Sequence, residues 1–386
     1  MSNYKLSDIC KIRYGKDHKS LDNGNIPVYG TGGIMRYVDS TLYEKESVLI
    51  PRKGTLSNLF YVDEPFWTID TLFYTEIDKS KVLPKYLYFK LKTIDLAGMN
   101  VGTAVPSLTT ALLNEIELNI PSLENQIKIV DILSSLENKI ENNNAIIANL
   151  EEQAQTIFKS WFVDFEPFQK EEFIDNTIGL IPTSFESISL GELYKLRSGY
   201  AFKSKDWTDK GFPVIKIKDI QPPTIDLNNI DYVNDMNVIE KAVDFKVCGG
   251  EIVMALTGAT TGKFGIIPDI NEAYVNQRVG LFLDSTESGY GYLYGLLNQE
   301  QFISKVIELA QGSAQANLSP RDVNNLLVPY NKNAFEKYNS LINPMMSHIA
   351  LILNENQSLR ETRDTLLPKL MSGEIRVEDT IEVKEM

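Results

Sequence analysis

Histidine and cysteine are almost missing from this chain: His18, His348, Cys10 and Cys248 are the whole supply in 386 residues. Two cysteines cannot build a disulfide framework, and their scarcity fits a reducing, cytoplasmic setting. Two histidines argue against a zinc centre or a histidine-dependent catalytic triad. No apolar run approaches the roughly 20 residues needed to cross a bilayer, so no membrane partner is expected. The opening Met1-Ser2-Asn3-Tyr4-Lys5 lacks the charged-then-apolar layout of a signal peptide. Basic residues are outnumbered, 38 against 52, for a net charge of −14, which at first sight disfavours nucleic acid. The excess is uneven. Residues 1–121 carry 14 basic and 14 acidic residues, whereas 122–177 carry 4 and 11. Half of the negative excess therefore sits in one stretch, and basic patches remain possible elsewhere.

The chain says one thing twice. Leu6-Ser7-Asp8-Ile9-Cys10-Lys11-Ile12-Arg13-Tyr14-Gly15 returns as Leu190-Gly191-Glu192-Leu193-Tyr194-Lys195-Leu196-Arg197-Ser198-Gly199. Further echoes follow in order: Val48-Leu49-Ile50 with Ile252-Val253-Met254, Tyr86-Leu87-Tyr88 with Tyr292-Leu293-Tyr294, and Pro121 with Pro329. The repeat is far longer than a solenoid unit, so it is a domain duplication. Short apolar runs between Gly-rich turns predict strand-rich units at 1–121 and 178–330, with one helix near 84–96 in the first.

Each unit is followed by heptad-patterned sequence. Ile129, Leu133, Leu136, Ile140, Asn143, Ile147, Leu150, Ala154, Ile157 and Trp161 step by four and three, with no Pro or Gly from Ser122 to Val163. Phe335, Tyr338, Ile342, Met345, Ile349, Ile352, Asn356, Leu359, Arg363, Leu366 and Leu370 do the same, with Pro344 predicting a late start or a kink. A long helix cannot bury such a seam alone, so the two stretches are expected to pair, antiparallel, within the chain. Asn143 or Asn144 in one and Asn356 in the other would fix register. The plainer alternative is two amphipathic helices, each lying on its own unit. The expected fold class is α+β, two similar strand-rich units separated by two long α-helices in an antiparallel intramolecular coiled coil. The boundaries are 1–121, a central helical spacer 122–165, a linker 166–177, the second unit 178–330, a C-terminal helical spacer 331–373 and an acidic tail 374–386.

No catalytic constellation emerges. The stretch from Gly258 to Phe264 resembles a phosphate loop, but it is one residue short between Gly258 and Gly262, and Phe264 replaces the magnesium-binding hydroxyl. A turn between strands is the better reading. What recurs instead is loops of small donors and cations at matching places. The first unit has Arg52, Lys53, Thr55 and Ser57, then Thr103 and Ser107. The second has Lys216 and Lys218; Thr257, Thr260, Thr261 and Lys263; Gln277 and Arg278; and Ser313, Gln315 and Asn317. Lys and Arg neutralise phosphates, and Asn, Gln and Arg can read base edges, so these are candidate DNA contacts. A coiled-coil adaptor with two protein-binding domains and no DNA stands as the alternative.

Several segments together carry a family resemblance. They are Leu359-Arg360-Glu361-Thr362-Arg363-Asp364-Thr365-Leu366-Leu367-Pro368-Lys369-Leu370-Met371-Ser372-Gly373-Glu374-Ile375, Ser160-Trp161-Phe162-Val163-Asp164-Phe165, Ile178-Gly179-Leu180-Ile181-Pro182 and Ile120-Pro121-Ser122-Leu123-Glu124-Asn125-Gln126. With the order unit, helix, unit, helix, the chain resembles the specificity subunits of type I restriction-modification systems along essentially its whole length. The resemblance implies two target recognition domains, each reading half of a split double-stranded DNA site, with paired helices measuring the gap. It implies two methyltransferase subunits docked on those helices and a restriction motor subunit in the full complex. S-adenosylmethionine, ATP and magnesium would sit on those partners, with no cofactor on this chain and no catalysis by it.

Overall fold

A computed structural model describes residues 2–101, 105–310 and 317–377. By contacts the chain divides into one unit of Met1–Ile140 with Leu359–Met386 and another of Glu141–Ser358. Each unit therefore holds one strand-rich domain and a part of both long helices.

In the first unit, Ser2–Lys5 pairs antiparallel with Glu117–Ile120, tying the two ends of the domain together. A four-stranded antiparallel sheet runs in the order Cys10–Tyr14, Leu72–Ile77, Ser47–Pro51, Phe60–Val62, and a three-stranded sheet in the order Gly33–Val38, Ile26–Gly30, Trp67–Thr68. The second unit repeats this plan with additions. Glu186–Ser189 pairs with Leu327–Tyr330. Tyr194–Ser198, Val279–Asp284, Ile252–Ala255 and Phe264–Ile266 form the counterpart sheet, widened by Thr224–Ile225 and Ile220–Gln221. Each unit has a matching parallel pair, Ile26–Gly30 with Trp67–Thr68 and Phe212–Ile215 with Ala273–Val275, and the second adds another, Thr224–Ile225 with Phe264–Ile266.

The repeated glycine has a steric cause. A Cβ at Gly15 would stand 2.0 Å from the carbonyl oxygen of Ile69, and one at Gly199 would stand 2.2 Å from that of Val275. The chain leaves the first strand by passing directly against another backbone, and only glycine fits there. The expected helix near 84–96 forms over Pro84–Lys92, with proline in its first turn, where its missing N–H costs no bond.

The long helices span Leu123–Phe162 and Lys332–Ser372. The second starts at Lys332, so Pro344 does not delay it, and the proline lies on the exposed side, where water can serve the carbonyl left unpaired one turn back. Within the second unit the helices pair antiparallel: Asn143 faces Asn356, and eleven residues on, the carbonyl of Ala154 accepts from the Tyr338 hydroxyl at 3.0 Å. Both Asn143 and Asn356 are 1% exposed. Asn143 Nδ2 donates to Asn356 Oδ1 at 2.9 Å and to Glu355 Oε2 at 2.7 Å, and Asn356 Nδ2 donates to Asn144 Oδ1 at 3.0 Å. Buried amides satisfied in one alignment disfavour a slipped seam. Separate amphipathic helices, the plainer expectation, are thereby set aside. In the first unit, Ile129 and Leu133 share a core with Leu367, Leu370 and Met371.

The stripe read from sequence drifts out of phase in places. Ile129, Leu133, Ile140, Ile147, Ile349 and Ile352 are buried, while Leu136, Leu150, Met345, Leu359 and Leu366 are half-buried. Phe158 and Phe162, not Ile157 and Trp161, fill the core, and Met346 and Leu367 bury more deeply than Met345 and Leu366. The strict seven-residue pattern holds only where helix meets helix alone. Where a helix also packs on its domain, the buried face widens. The expected linker 166–177 is structured too. Glu166–Phe168 forms a 3-10 turn, and Phe173–Asn176 pairs with Gly179–Pro182 as a hairpin.

Polar anchors join each domain to its helices. Gln126, fully buried, accepts from the Leu83 amide at 2.8 Å and donates to the carbonyls of Lys81 and Pro121. Lys90 donates to the Met371 carbonyl at 2.7 Å, placing a cation at the C-terminal end of the second long helix. In the second unit, Asn339 and Asn343, one turn apart, accept the first amides of the helix Gly291–Leu297, from Tyr292 and Gly291.

Candidate nucleic-acid interface

Four loops meet at the same place in each unit, and backbone hydrogen bonds hold them there. In the first unit the strand Ser47–Pro51 runs out into the loop that begins at Arg52. The Arg52 amide donates to Thr71 O at 2.8 Å, and its carbonyl accepts from Leu108 at 2.9 Å. Gly54, at φ +90°, donates to Pro106 O at 3.0 Å, a left-handed turn that suits glycine. Asn58 Nδ2 reaches Thr31 O at 2.9 Å, and Ile69 donates to Tyr29 O at 3.1 Å. The turn after Ile26–Gly30, the Arg52 loop, the Asp70-Thr71 corner and the segment at Pro106–Leu108 are thus one cluster.

The second unit builds its cluster with the same bonds. The Leu256 amide donates to Arg278 O at 2.9 Å, and its carbonyl accepts from Leu318 at 2.7 Å. Thr257 bridges Asn317 as Lys53 bridges Ser107. Asn276 donates to Ile215 O at 3.0 Å. The stretch Gly258–Thr260 is a short 3-10 turn, with both Gly258 and Gly262 at φ +83° and the Thr261 hydroxyl donating to Gly258 O at 2.7 Å. It connects strand to strand and opens no helix, so it lacks the helix N-terminus on which a phosphate loop depends.

The candidate side chains are unequally free. Lys53, Thr55, Ser57, Lys263, Gln277, Arg278 and Asn317 are exposed, and Ser107, Thr257, Thr260 and Thr261 are half-buried. Arg52 donates to Asp70 O at 3.0 Å, with its guanidinium 5.4 Å from the centre of the Tyr14 ring. Among the described residues, neither Lys53, Lys263 nor Arg278 is paired with a carboxylate. Lys216 and Lys218 both are: their ammonium groups lie 3.0 and 2.9 Å from the same Asp231 oxygen. Thr103, Ser313 and Gln315 lie outside the described residues.

That lysine pair has a defined setting. Lys216 Nζ sits 3.4 Å from the centre of the Trp207 ring, a cation–π contact. Lys218 also donates to Asn229 O at 3.0 Å. The hydrogen bond to Asp231 raises the Lys218 pKa. Partial burial opposes ionisation of Asp231, but its bonds from Lys218 and Lys216 outweigh that and hold its carboxyl below its ordinary value. Beneath them Asp219, 4% exposed, accepts the Lys216 amide at 2.8 Å, and burial pushes its carboxyl up to about 6. Sequence reading missed Asp231, Trp207, Tyr14 and Asp70. They are distant along the chain and joined to the loops only by folding, so no local spacing marks them.

Among the described residues, no group of three or more His, Cys, Asp or Glu is placed to hold a metal ion. No helix among them is long and apolar enough to cross a membrane. The chemistry the clusters offer is recognition of a polyanion: exposed cations, amide and hydroxyl donors, and glycine turns that let a large ligand approach the backbone.

The family model for the type I restriction modification DNA specificity domain matches residues 1–152 and again residues 182–330. The chain is 27% identical over 359 residues to the MjaIX type I restriction enzyme specificity subunit of Methanocaldococcus jannaschii, covering 88% of this chain and 79% of that one. It is 24% identical over 366 residues to the HindI specificity subunit of Haemophilus influenzae, covering 76% and 78%. The crystal structure of a type I restriction-modification S subunit from M. genitalium aligns over 96% of this chain and 95% of that one with a TM-score of 0.66 at 18% identity, a likeness of fold.

Proposed function

Since the chain belongs to the type I restriction-modification DNA specificity family, we propose that its two loop clusters each read one half of a split double-stranded DNA site. The observation that carries this reading is the repetition itself. Two copies of one scaffold bring the same four loops together with the same backbone bonds, and both clusters present unpaired cations beside amide and hydroxyl donors. Phosphate contacts by Lys53, Lys263 and Arg278 position the duplex, and the donors of Ser57, Gln277 and Asn317 test base edges.

The long helices set the spacing between the readers and carry the surface on which two methyltransferase subunits dock. Those subunits bring S-adenosylmethionine and the methyl-transfer chemistry, and a restriction motor using ATP and magnesium completes the assembly. This chain reads and does not react. Its acidic stretch, 122–177, faces protein in such a complex, which removes the conflict between a net charge of −14 and a DNA ligand.

The test uses the full chain with and without its methyltransferase partner, titrated into duplex DNA at several salt concentrations. Lys53→Ala and Lys263→Ala each lower affinity and flatten the log–log salt slope by about 0.9, the value for one lost phosphate contact. A complex that retains no DNA at low salt contradicts the reading and favours the coiled-coil adaptor.

A further inference from the structure

Two of the cations in the second cluster are already spoken for. Lys216 and Lys218 converge on one carboxylate, that of Asp231, which lies on the neighbouring strand Asp231–Val233. Lys216 is also seated on Trp207, and the turn that carries both lysines is capped from below by buried Asp219. Two positive charges face two acidic groups, so the cluster offers a phosphate little net attraction. Yet it abuts the proposed contact surface. Ile215, next to Lys216, accepts from Asn276, and a Cβ on Gly258 would lie 3.9 Å from the Ile217 side chain. The first unit has no counterpart: after Ile26–Gly30 comes the Thr31-Gly32-Gly33 turn, without a cation.

Resting on the DNA-reading function proposed above, we infer that Asp231 is a positioning and specificity-determining residue of the second reader: it holds Lys216 and Lys218 off the phosphate backbone, so that they engage DNA only where an acceptor stands in the place the carboxylate defines. A lysine left loose at such a site binds any duplex through phosphate, which raises affinity without discrimination. A lysine held by a fixed partner loses that sequence-blind contact and keeps the directional one, because a guanine edge presents acceptors at set positions while phosphates line every site. The arrangement also confines the effect to one half-site.

Asparagine keeps the shape and the acceptor oxygen of the half-buried Asp231 side chain, and ion pairs that water still reaches contribute little to folding, so Asp231→Asn is expected to fold, with a melting temperature near that of the parent. The substitution should raise affinity for a random-sequence 30-base-pair duplex by about tenfold at moderate salt and steepen the salt slope by between about 1 and 2, one contact per released lysine. Adding Lys216→Gln and Lys218→Gln to Asp231→Asn should cancel the gain. In selection from a randomised duplex library by the chain in complex with its methyltransferase subunits, Asp231→Asn should blur the half-site read by the second unit and leave the other half-site sharp. An unchanged salt slope and an unchanged half-site overturn the inference, as does a loss of affinity for random duplex with a fall in melting temperature, which marks a purely structural ion pair. If the parent complex itself selects no sequence, the DNA-reading function fails and takes this inference with it.

Discussion

Inserting one heptad into each long helix should move the methylated sites to a wider gap while leaving both half-sites as they were. The insertions belong between the Asn143–Asn356 and Ala154–Tyr338 contacts, for example after Asn149 in the first helix and before Ile349 in the second. Seven residues restore the phase of the seam, so the buried amides and the aromatic end are both retained. They lengthen the helices by about 10 Å, or about three base pairs at 3.4 Å each. Methylation at the parental gap should fall by at least about a hundredfold, since one half of the contacts is then out of reach. Adenine methylation mapped across the genome reads both quantities together. Half-sites that change while the gap stays constant would show that the helices do not measure distance.

Phe158→Ala should produce the largest loss of stability. Its ring is 1% exposed and stands 5.2, 5.4 and 5.6 Å from the rings of Phe162, Tyr292 and Tyr338. It also fills the space above Gly295, where a Cβ would fall 2.3 Å from its ring. Two long-helix residues, Phe158 and Tyr338, thus lock into the domain helix that carries Tyr292, all within the second unit. Truncation leaves a cavity that rigid aromatic neighbours fill poorly, at a cost of about 3–5 kcal/mol. For a unit of this size that is a fall on the order of 10 °C in the calorimetric transition. Phe158→Leu should lose clearly less. A shift for Phe158→Ala of only a degree or two would mean that the helix is not anchored through this ring.

Much of this architecture was readable in the sequence because duplication is a strong signal. The recurrence of Tyr14-Gly15 as Ser198-Gly199 marked the spot where backbone passes backbone, and Tyr86 and Tyr292 marked matching helices. Asn143 and Asn356 were legible as a register pair because polar residues stand out in an apolar stripe. The stripe failed where it ceased to describe a two-helix seam. Near Phe158 the helix has a third neighbour, the domain itself, and a seven-residue rule does not know of it. The hairpin of Phe173–Asn176 with Gly179–Pro182 was hidden because its strands are only four residues each and the first follows the charged run Lys170-Glu171-Glu172. At the candidate interface the loops could be located, but not the state of each cation. Lys53 and Lys218 look alike in the sequence, yet only Lys218 meets a carboxylate, supplied by a residue thirteen positions on, in the strand Asp231–Val233. Ion pairing is a tertiary fact, and local pattern carries no trace of it.

Whether this chain gives a methyltransferase its address decides the function proposed above. Single-molecule mapping of modified adenines, in otherwise identical cells with and without the chain, asks that directly. The expected result is methylation that depends on the chain, at one motif of two short defined blocks flanking a stretch of fixed length and free sequence. Modified adenines that are the same in both strains, or a single unbroken motif, would contradict it.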